Sequence, residues 1–199
     1  ILILGDDDLV SIALMLTGKP SRIVVLEIDD RLTDFISRNA RILGFSALEV
    51  RKSDLRHPLT EDLIGKFDVF ETDPTESYSG FRLFLTRGAV SLRGLRCAGY
   101  FGLTRLESSL WKWRKMQQFL LRAGFVFTAI FPDFHSYEHW DYHPFTRAGK
   151  LVADPVPENF RWYTSALVRV EKIAEVALPN LPLKQTGPKF YRDEESSTS

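Results

Sequence analysis

Short apolar runs alternate with segments of helical periodicity along most of the chain. The apolar runs predict seven strands, at residues 1–4, 22–28, 47–50, 67–72, 97–104, 125–131 and 162–172. The periodic segments predict helices at residues 8–17, 31–43, 78–92 and 107–122, with a shorter one near 59–65. Strands that alternate with helices in this way are typical of an α/β fold built on a parallel sheet.

The two ends of the chain and the gap before the last strand depart from this pattern. About thirty residues rich in Pro and aromatic side chains separate the last two predicted strands, and long ordered insertions are more often functional than idle. We assign residues 1–176 to one α/β domain and expect residues 177–199 to form a polar, Pro-containing and loosely held tail. Because the first residue already belongs to an apolar strand, we expect the chain to be a fragment of a longer protein.

The overall composition excludes several classes of protein. Lys plus Arg equals Asp plus Glu, with 26 of each, so no global positive charge favours nucleic acid. The single cysteine, Cys97, excludes an intramolecular disulfide framework and a cysteine-based zinc cluster. No apolar run approaches the ~20 residues that span a bilayer. We therefore expect a cytoplasmic protein with no membrane or nucleic-acid partner.

Acidic residues follow each of the first four predicted strands. They are Asp6, Asp7 and Asp8 after Gly5, then Glu27 and Asp29, then Asp54, and finally Asp73 and Glu76. Each alone has a structural explanation, since Asp caps helices and Asp-Pro begins turns. The carboxyl ends of parallel strands meet at one edge of a sheet, where α/β proteins bind their ligands. The coincidence of these acids at that edge therefore predicts a binding site.

Three of these acids have positions that suit a nucleoside. Glu27 follows Gly5 by 27 − 5 = 22 residues, the separation at which nucleotide-binding folds place an acid that binds ribose hydroxyls. Asp54, after the third strand, is placed to accept a hydrogen bond from an adenine amino group. Asp73 follows the fourth strand, so we expect it to face the reacting end of the ligand.

The Gly-Asp-Asp-Asp turn disfavours a phosphate ligand. At ~4 Å each aspartate would repel a phosphate by ~1 kcal/mol or more even in water. Neighbouring carboxylates also raise one another's pKa unless a cation lies among them. The turn therefore favours a ligand with a cationic tail, and a polyamine partner would be attracted in the same way by Asp73, Glu76, Glu138 and Asp141.

These motifs resemble those of polyamine-forming aminopropyltransferases. "VVLEIDDRLTDFI" and "KFDVFETDPTES" are similar to the second and fourth strands of spermidine synthases, whose fourth strand ends in the catalytic Asp. The glycine-rich turn of that family is not reproduced. The Gly-Asp-Asp-Asp turn instead resembles the N(4)-bis(aminopropyl)spermidine synthases, the branched-chain polyamine synthases of thermophilic archaea and bacteria. This resemblance extends from residue 1 to about residue 172.

The resemblance implies a fold and a reaction. The fold would be a Rossmann-like class I methyltransferase-type sheet of about seven strands, mostly parallel with an antiparallel late strand and with helices on both faces. The reaction would transfer aminopropyl groups from decarboxylated S-adenosylmethionine to spermidine and release methylthioadenosine, with no metal cofactor. The resemblance also implies a homodimer and an upstream winged-helix-like domain.

The resemblance assigns roles to the acids. Asp7 and Asp73 are the candidate catalytic residues, with Asp7 deprotonating or orienting the amine, while Asp6 or Asp8 anchors a substrate ammonium group. Gly5, Glu27, Asp29 and Asp54 are the candidate nucleoside-binding residues. Glu76 would bind the polyamine beside Asp73.

The segment "PDFHSYEHWDYHPF", residues 132–145, interleaves aromatic and acidic side chains. Such a mixture suits methylene chains that carry ammonium groups, so we interpret Tyr137, Glu138, Trp140 and Asp141 as part of an amine-binding wall. Two alternatives remain open here: a metal site formed by His135, His139 and His143, which recur every four residues, or a surface loop with a few packed aromatics.

Two other functions are compatible with the sequence. Asp73-Pro74 resembles the Asn/Asp-Pro-Pro-aromatic motif of methyltransferases that act on an amine or a nucleic acid base, although Thr75 and Glu76 depart from it. A nucleoside sensor without catalytic activity is the third possibility.

Overall fold

The structure, a computed structural model, describes residues 1–75, 77–137, 163–183, 187, 190 and 192–195. Its strands are β1 (Leu2–Leu4), β2 (Ile23–Glu27), β3 (Leu48–Lys52), β4 (Val69–Thr72), β5 (Ala98–Leu103), β6 (Phe125–Ser136) and β7 (Thr164–Lys172). Its helices are α1 (Val10–Leu16), α2 (Asp30–Ile42), α3 (Tyr78–Ser91) and α4 (Leu110–Arg122). In this part of the chain, no helix is long and apolar enough to cross a membrane.

The seven strands form one mixed sheet in the order β3-β2-β1-β4-β5-β7-β6. The first five strands pair in parallel, and β7 runs antiparallel between β5 and β6. The strand order reverses between β1 and β4, which are direct neighbours. The predicted fold class is confirmed, and the reversal brings the turn after β1 next to the end of β4.

The two faces of the sheet are covered differently. Phe70, Phe101 and Phe125 are buried on the face that packs against α3 and α4, and the Phe81 ring of α3 lies edge-on to Phe101 at 5.4 Å between centroids. On the other face, Ile3, Val25 and neighbouring side chains pack with α1 and α2. Some side chains of β4 and β7 are only half-buried, as the largely alternating burial along both strands shows, and in β5 only Tyr100 is half-buried.

Two sequence predictions of secondary structure are wrong. Residues 61–65 form turns rather than a helix, because the Leu63 N–H bonds back to Thr60 O and Gly65 ends the segment at φ 65°. Strand β6 continues to Ser136, five residues beyond the predicted end, because β7 supplies hydrogen-bonding partners past two irregularities in the pairing. The predicted linker between the last two strands is therefore shorter than expected.

The described part of the C-terminal tail is held against the domain. Asn180 exchanges hydrogen bonds with the backbone of Leu59, and Phe190 is buried while its carbonyl accepts bonds from Ser77 and Ser79. Asp193 and Glu195 bind near the starts of α3 and α4. The expectation of a loosely held tail is therefore wrong for these residues, because composition does not reveal the partners that the folded domain offers.

Candidate active site

The Gly-Asp-Asp-Asp turn leaves β1 in a backbone conformation that separates its three carboxylates. Gly5 has φ 76°, a left-handed value that glycine adopts without strain. Asp6 turns inward and is 2% exposed, and its carboxylate accepts hydrogen bonds from the N–H and hydroxyl of Ser11. Burial raises its pKa to about 6. Asp6 therefore holds the first turn of α1 in place, and the predicted ammonium-anchoring role fits Asp8, which is exposed, better than Asp6.

Glu27, at the end of β2, supports the same turn from the side. Its Oε2 accepts from the Asp6 N–H at 3.0 Å, and its Oε1 accepts from the N–H groups of Ile28 and Asp29 at 2.7 and 2.9 Å. The side chain is 6% exposed. The acid predicted to bind ribose thus also connects the ends of β1 and β2, and its Oε2, which accepts a single hydrogen bond, retains capacity to accept another.

Asp73 directly follows β4, next to the acidic turn that follows β1. Its Oδ2 accepts a hydrogen bond from the Tyr137 hydroxyl at 3.1 Å, and its carboxylate packs against Gly102 of β5. Although part of the side chain is open to solvent, the surrounding protein raises its pKa to about 6 through desolvation, an effect that the Tyr137 hydrogen bond opposes. The structure thus joins the candidate catalytic acid to the predicted amine-binding wall.

Glu71 is an acid of this cluster that sequence reasoning missed. It precedes Asp73 by two residues on β4 and pairs with Ile3 of β1. Its pKa is raised to about 8, first by burial and then by the charges of Asp6, Asp73, Asp8 and Asp7, in that order. The available signal was a charged residue inside the apolar run of a central strand, where charges are rare unless they are paired.

Asp7 completes the cluster at its solvent side. Its side chain is exposed. Its pKa is nevertheless raised, first because the surrounding protein desolvates the carboxylate and then because Asp8 is negatively charged. The charge of Asp7 in turn raises the pKa of Asp73, and burial remains the main cause there. The structure therefore brings together the two predicted catalytic acids, Asp7 and Asp73.

Asp29 and Asp54, two of the predicted nucleoside-binding acids, follow β2 and β3, which are neighbouring parallel strands. Asp29 caps α2 and pairs with Arg31, while Asp54 pairs with Arg56 through both carboxylate oxygens. These arginines lower the pKa of both acids, so both are ionised near neutral pH. Ionised carboxylates at these positions remain able to accept hydrogen bonds from a nucleoside.

Several predicted site residues lie outside the described residues: Glu76, Glu138, Trp140, Asp141, His139 and His143. Within the described ranges, no group of three or more His, Cys, Asp or Glu side chains is arranged to hold a metal ion. His135 belongs to β6 and bonds to Ser165 instead. The acidic cluster with raised pKa values therefore suits an organic cation, which would stabilise its ionised carboxylates.

Comparison with known proteins agrees with this chemistry. A family model described as the C-terminal domain of branched-chain polyamine synthase A matches residues 1–198. The chain belongs to this family. It is 45% identical over its whole length to the N(4)-bis(aminopropyl)spermidine synthases of Thermococcus kodakarensis and of Methanocaldococcus jannaschii. It spans 57% of the length of each of these relatives.

Two solved structures are also similar to this chain. The branched-chain polyamine synthase of Thermus thermophilus, in complex with N4-aminopropylspermidine and 5'-methylthioadenosine, superposes with a TM-score of 0.88 at 42% identity, over the whole of this chain and 56% of its own. The N-methyltransferase NodS of Bradyrhizobium japonicum superposes with a TM-score of 0.55 at 12% identity, over 87% of this chain and 85% of its own. The second likeness shows the Rossmann-like methyltransferase fold alone.

Proposed function

We propose that this chain is the catalytic part of an aminopropyltransferase that makes branched-chain polyamines. It would transfer aminopropyl groups from decarboxylated S-adenosylmethionine to spermidine and release methylthioadenosine. The family to which the chain belongs supports this proposal, as do the ligands of the related Thermus thermophilus enzyme.

The observation that carries the proposal is the group of carboxylates at the ends of β1 and β4. Asp7, Glu71 and Asp73 all have raised pKa values, so ionising these neighbouring carboxylates costs free energy through desolvation and mutual repulsion. Decarboxylated S-adenosylmethionine and spermidine carry sulfonium and ammonium groups and no carboxylate. Both substrates would relieve this repulsion, whereas intact S-adenosylmethionine would bring a further carboxylate close to Asp7 and Asp8.

The reaction needs a neutral amine in line with the carbon beside the sulfonium. The protonated secondary amine gives its proton to one carboxylate of the Asp7–Asp73 pair, and its nitrogen then forms a bond to the propyl carbon. The carbon–sulfur bond breaks, and its electron pair leaves with sulfur as the neutral thioether of methylthioadenosine. A carboxylate with a pKa of about 6 can accept the proton near neutral pH and release it to water afterwards.

Glu27, Asp29 and Asp54 would bind the nucleoside beside this pair, with Gly5 allowing its close approach. Asp8, Glu76, Tyr137, Glu138, Trp140 and Asp141 would bind the polyamine. On the resemblance we also propose a cytoplasmic homodimer, with residues 1–176 as the catalytic domain.

Turnover with matched donors tests the proposal. The protein is incubated with spermidine and either decarboxylated or intact S-adenosylmethionine, and nucleoside and polyamine products are identified by mass spectrometry. We expect methylthioadenosine and aminopropylated spermidine from the decarboxylated donor alone, loss of both in Asp73→Asn, and their retention in Asp68→Asn, which alters an exposed ion pair with Arg93. Methyl transfer from the intact donor, or nucleoside binding without any product, would contradict the proposal.

A further inference from the structure

Strand β6 carries two extra residues next to the candidate active site. Phe131 pairs with Leu167 and His135 pairs with Ser165, so four steps along β6 match two steps along β7. Within the extra stretch, Asp133 adopts a left-handed φ of 49° and accepts a hydrogen bond from the Thr164 hydroxyl at 2.6 Å. Irregularities of this kind redirect side chains and are common beside active sites.

The consequence of the irregularity is that His135 lies opposite Ser165. His135 Nδ1 lies 3.0 Å from the Ser165 hydroxyl oxygen. The Phe134 ring meets the imidazole edge-on at 4.9 Å between centroids, which restricts the orientation of the imidazole. Ser165 itself is 3% exposed, so its hydroxyl has few alternative partners.

Ser165 connects His135 to the candidate catalytic acid through Tyr137. The Tyr137 hydroxyl lies 3.3 Å from the Ser165 hydroxyl and 3.1 Å from Asp73 Oδ2. The Tyr137 N–H donates to Tyr163 O at 3.0 Å, and the two rings pack edge-on at 5.4 Å. Four side chains therefore form one continuous series of hydrogen bonds: His135 of β6, Ser165 of β7, Tyr137 directly after β6, and Asp73 directly after β4.

Counting protons determines which group donates and which accepts in each of these hydrogen bonds. An ionised Asp73 can only accept, so the single hydroxyl proton of Tyr137 points to Asp73. The Tyr137 oxygen must then accept from Ser165, and the Ser165 oxygen must accept from His135. His135 therefore carries a proton on Nδ1 whenever Asp73 is ionised.

We propose that Ser165 and His135 are positioning residues that direct the Tyr137 hydroxyl proton to Asp73. This inference rests on the proposed aminopropyl transfer, in which the ionised form of Asp73 faces the amine. Without the Ser165 hydroxyl, Tyr137 loses the donor that occupies its oxygen, and its own proton is free to turn away from Asp73.

The groups around Asp73 explain why this bond matters. Asp7 and Asp8 face it from the turn after β1, and their negative charges raise its pKa, while Glu71 lies two residues before it on β4. Desolvation acts in the same direction, and the Tyr137 hydroxyl is the group that opposes them by stabilising the carboxylate. Burial and the charge of Asp73 raise the pKa of Tyr137 itself, which keeps its proton in place.

The test compares Ser165→Ala and His135→Ala with Tyr137→Phe. We expect each variant to move the acidic limb of the kcat/KM profile to higher pH, and kcat to fall about tenfold with an unchanged KM for the nucleoside donor. His135→Asn keeps an N–H donor near the Nδ1 position and should restore most of the rate. Ser46→Ala, which lies before β3 at the opposite edge of the sheet, serves as the matched control.

A second measurement does not depend on turnover. In ¹⁵N-labelled protein at pH 8, we expect Nδ1 of His135 to carry a proton, and His135 to lose this preference in Ser165→Ala. An unchanged pH profile in Ser165→Ala and His135→Ala, or a wild-type His135 protonated only on Nε2, would overturn the inference. Absence of any product from the wild-type protein would instead contradict the proposed function, and the tautomer would still test the hydrogen-bond chain.

Discussion

Asp73 occupies space beside β5 that is free only because residue 102 is glycine. A Cβ atom at Gly102 would lie 2.1 Å from Asp73 Oδ1 and 2.9 Å from its Cγ, both far inside van der Waals contact. The carboxylate is partly open to solvent, so it can rotate away without disturbing the core. Position 102 therefore controls where the candidate catalytic carboxylate lies.

We predict that Gly102→Ala preserves the fold and removes most of the activity. The displaced carboxylate would leave Tyr137 and the amine, and misplacement by ~1 Å can cost about 100-fold in rate. Turnover and circular dichroism measure the two effects. Gly94→Ala is the control, since a Cβ there meets nothing closer than 3.8 Å. Normal turnover in Gly102→Ala would show that the observed position of Asp73 is not required.

Substitution of Asp7 should reduce turnover, whereas substitution of Asp6 should reduce stability. Asp7→Asn removes an exposed negative charge of the acidic cluster and relieves repulsion there, so we expect loss of turnover with no fall in the melting temperature. Asp6→Ala removes the acceptor for Ser11, so we expect the free energy of unfolding to fall by about 1–2 kcal/mol. Thermal unfolding and steady-state kinetics on both variants check this. Equal effects on stability would contradict the distinct roles that the turn gives to these neighbours.

The ligand-free protein should become less stable as the pH rises from about 5 to about 8. The native pKa values of Asp6, Glu71 and Asp73 lie at about 6, 8 and 6, above those of the unfolded chain, so the native state binds more protons in this window. The acids that pair with arginine have lowered pKa values and titrate below it. Thermal unfolding at several pH values measures the slope.

Glu71→Gln should flatten the upper part of that slope, between about pH 6.5 and 8. The amide cannot ionise, so the native state no longer loses a proton there. Asp68→Asn, an exposed carboxylate in an ion pair with Arg93, serves as the control and should leave the slope unchanged. A stability that rises with pH in both the wild-type protein and Glu71→Gln would rule out the protonated state assigned to Glu71.

The strand pattern and the acids at the strand ends were accessible from the sequence because both follow short-range rules. Alternating apolar runs predict the sheet. Because the carboxyl ends of parallel strands meet at one edge, the same pattern predicts that Asp7 and Asp73 lie close together. The sequence could not distinguish the three aspartates of the turn, since the left-handed Gly5 and the inward rotation of Asp6 depend on contacts with Ser11 and Glu27.

Other features depended on contacts between distant parts of the chain. Ser165 has no local signature, and its meeting with His135 requires the irregular pairing of β6 with β7. The attachment of the tail similarly depends on carbonyl and carboxylate groups that meet the starts of α3 and α4 only after folding. The sequence therefore predicts a flexible tail, because the hydrogen-bonding partners of this polar segment lie about a hundred residues away along the chain.

Arg87 connects the C-terminal tail to the loop that carries Asp54, and its removal should affect both stability and binding of the nucleoside donor. The side chain is 1% exposed, and its guanidinium donates to Leu55 O at 2.9 Å, to Leu181 O at 2.7 Å and to Asn180 Oδ1 at 3.1 Å. Arg87→Met would leave these acceptors without a donor, so we expect a loss of about 3 kcal/mol in the free energy of unfolding.

Because Leu55 follows Asp54 directly, the same variant should also bind the nucleoside donor more weakly, with a higher KM and a smaller change in kcat. Arg93→Met is the matched control: its side chain is 63% exposed and pairs with Asp68 at the surface, where such ion pairs contribute little. Chemical denaturation and donor titration measure both quantities. If Arg87→Met proved as stable as Arg93→Met and kept the wild-type KM, Arg87 would hold neither the tail nor the loop that carries Asp54.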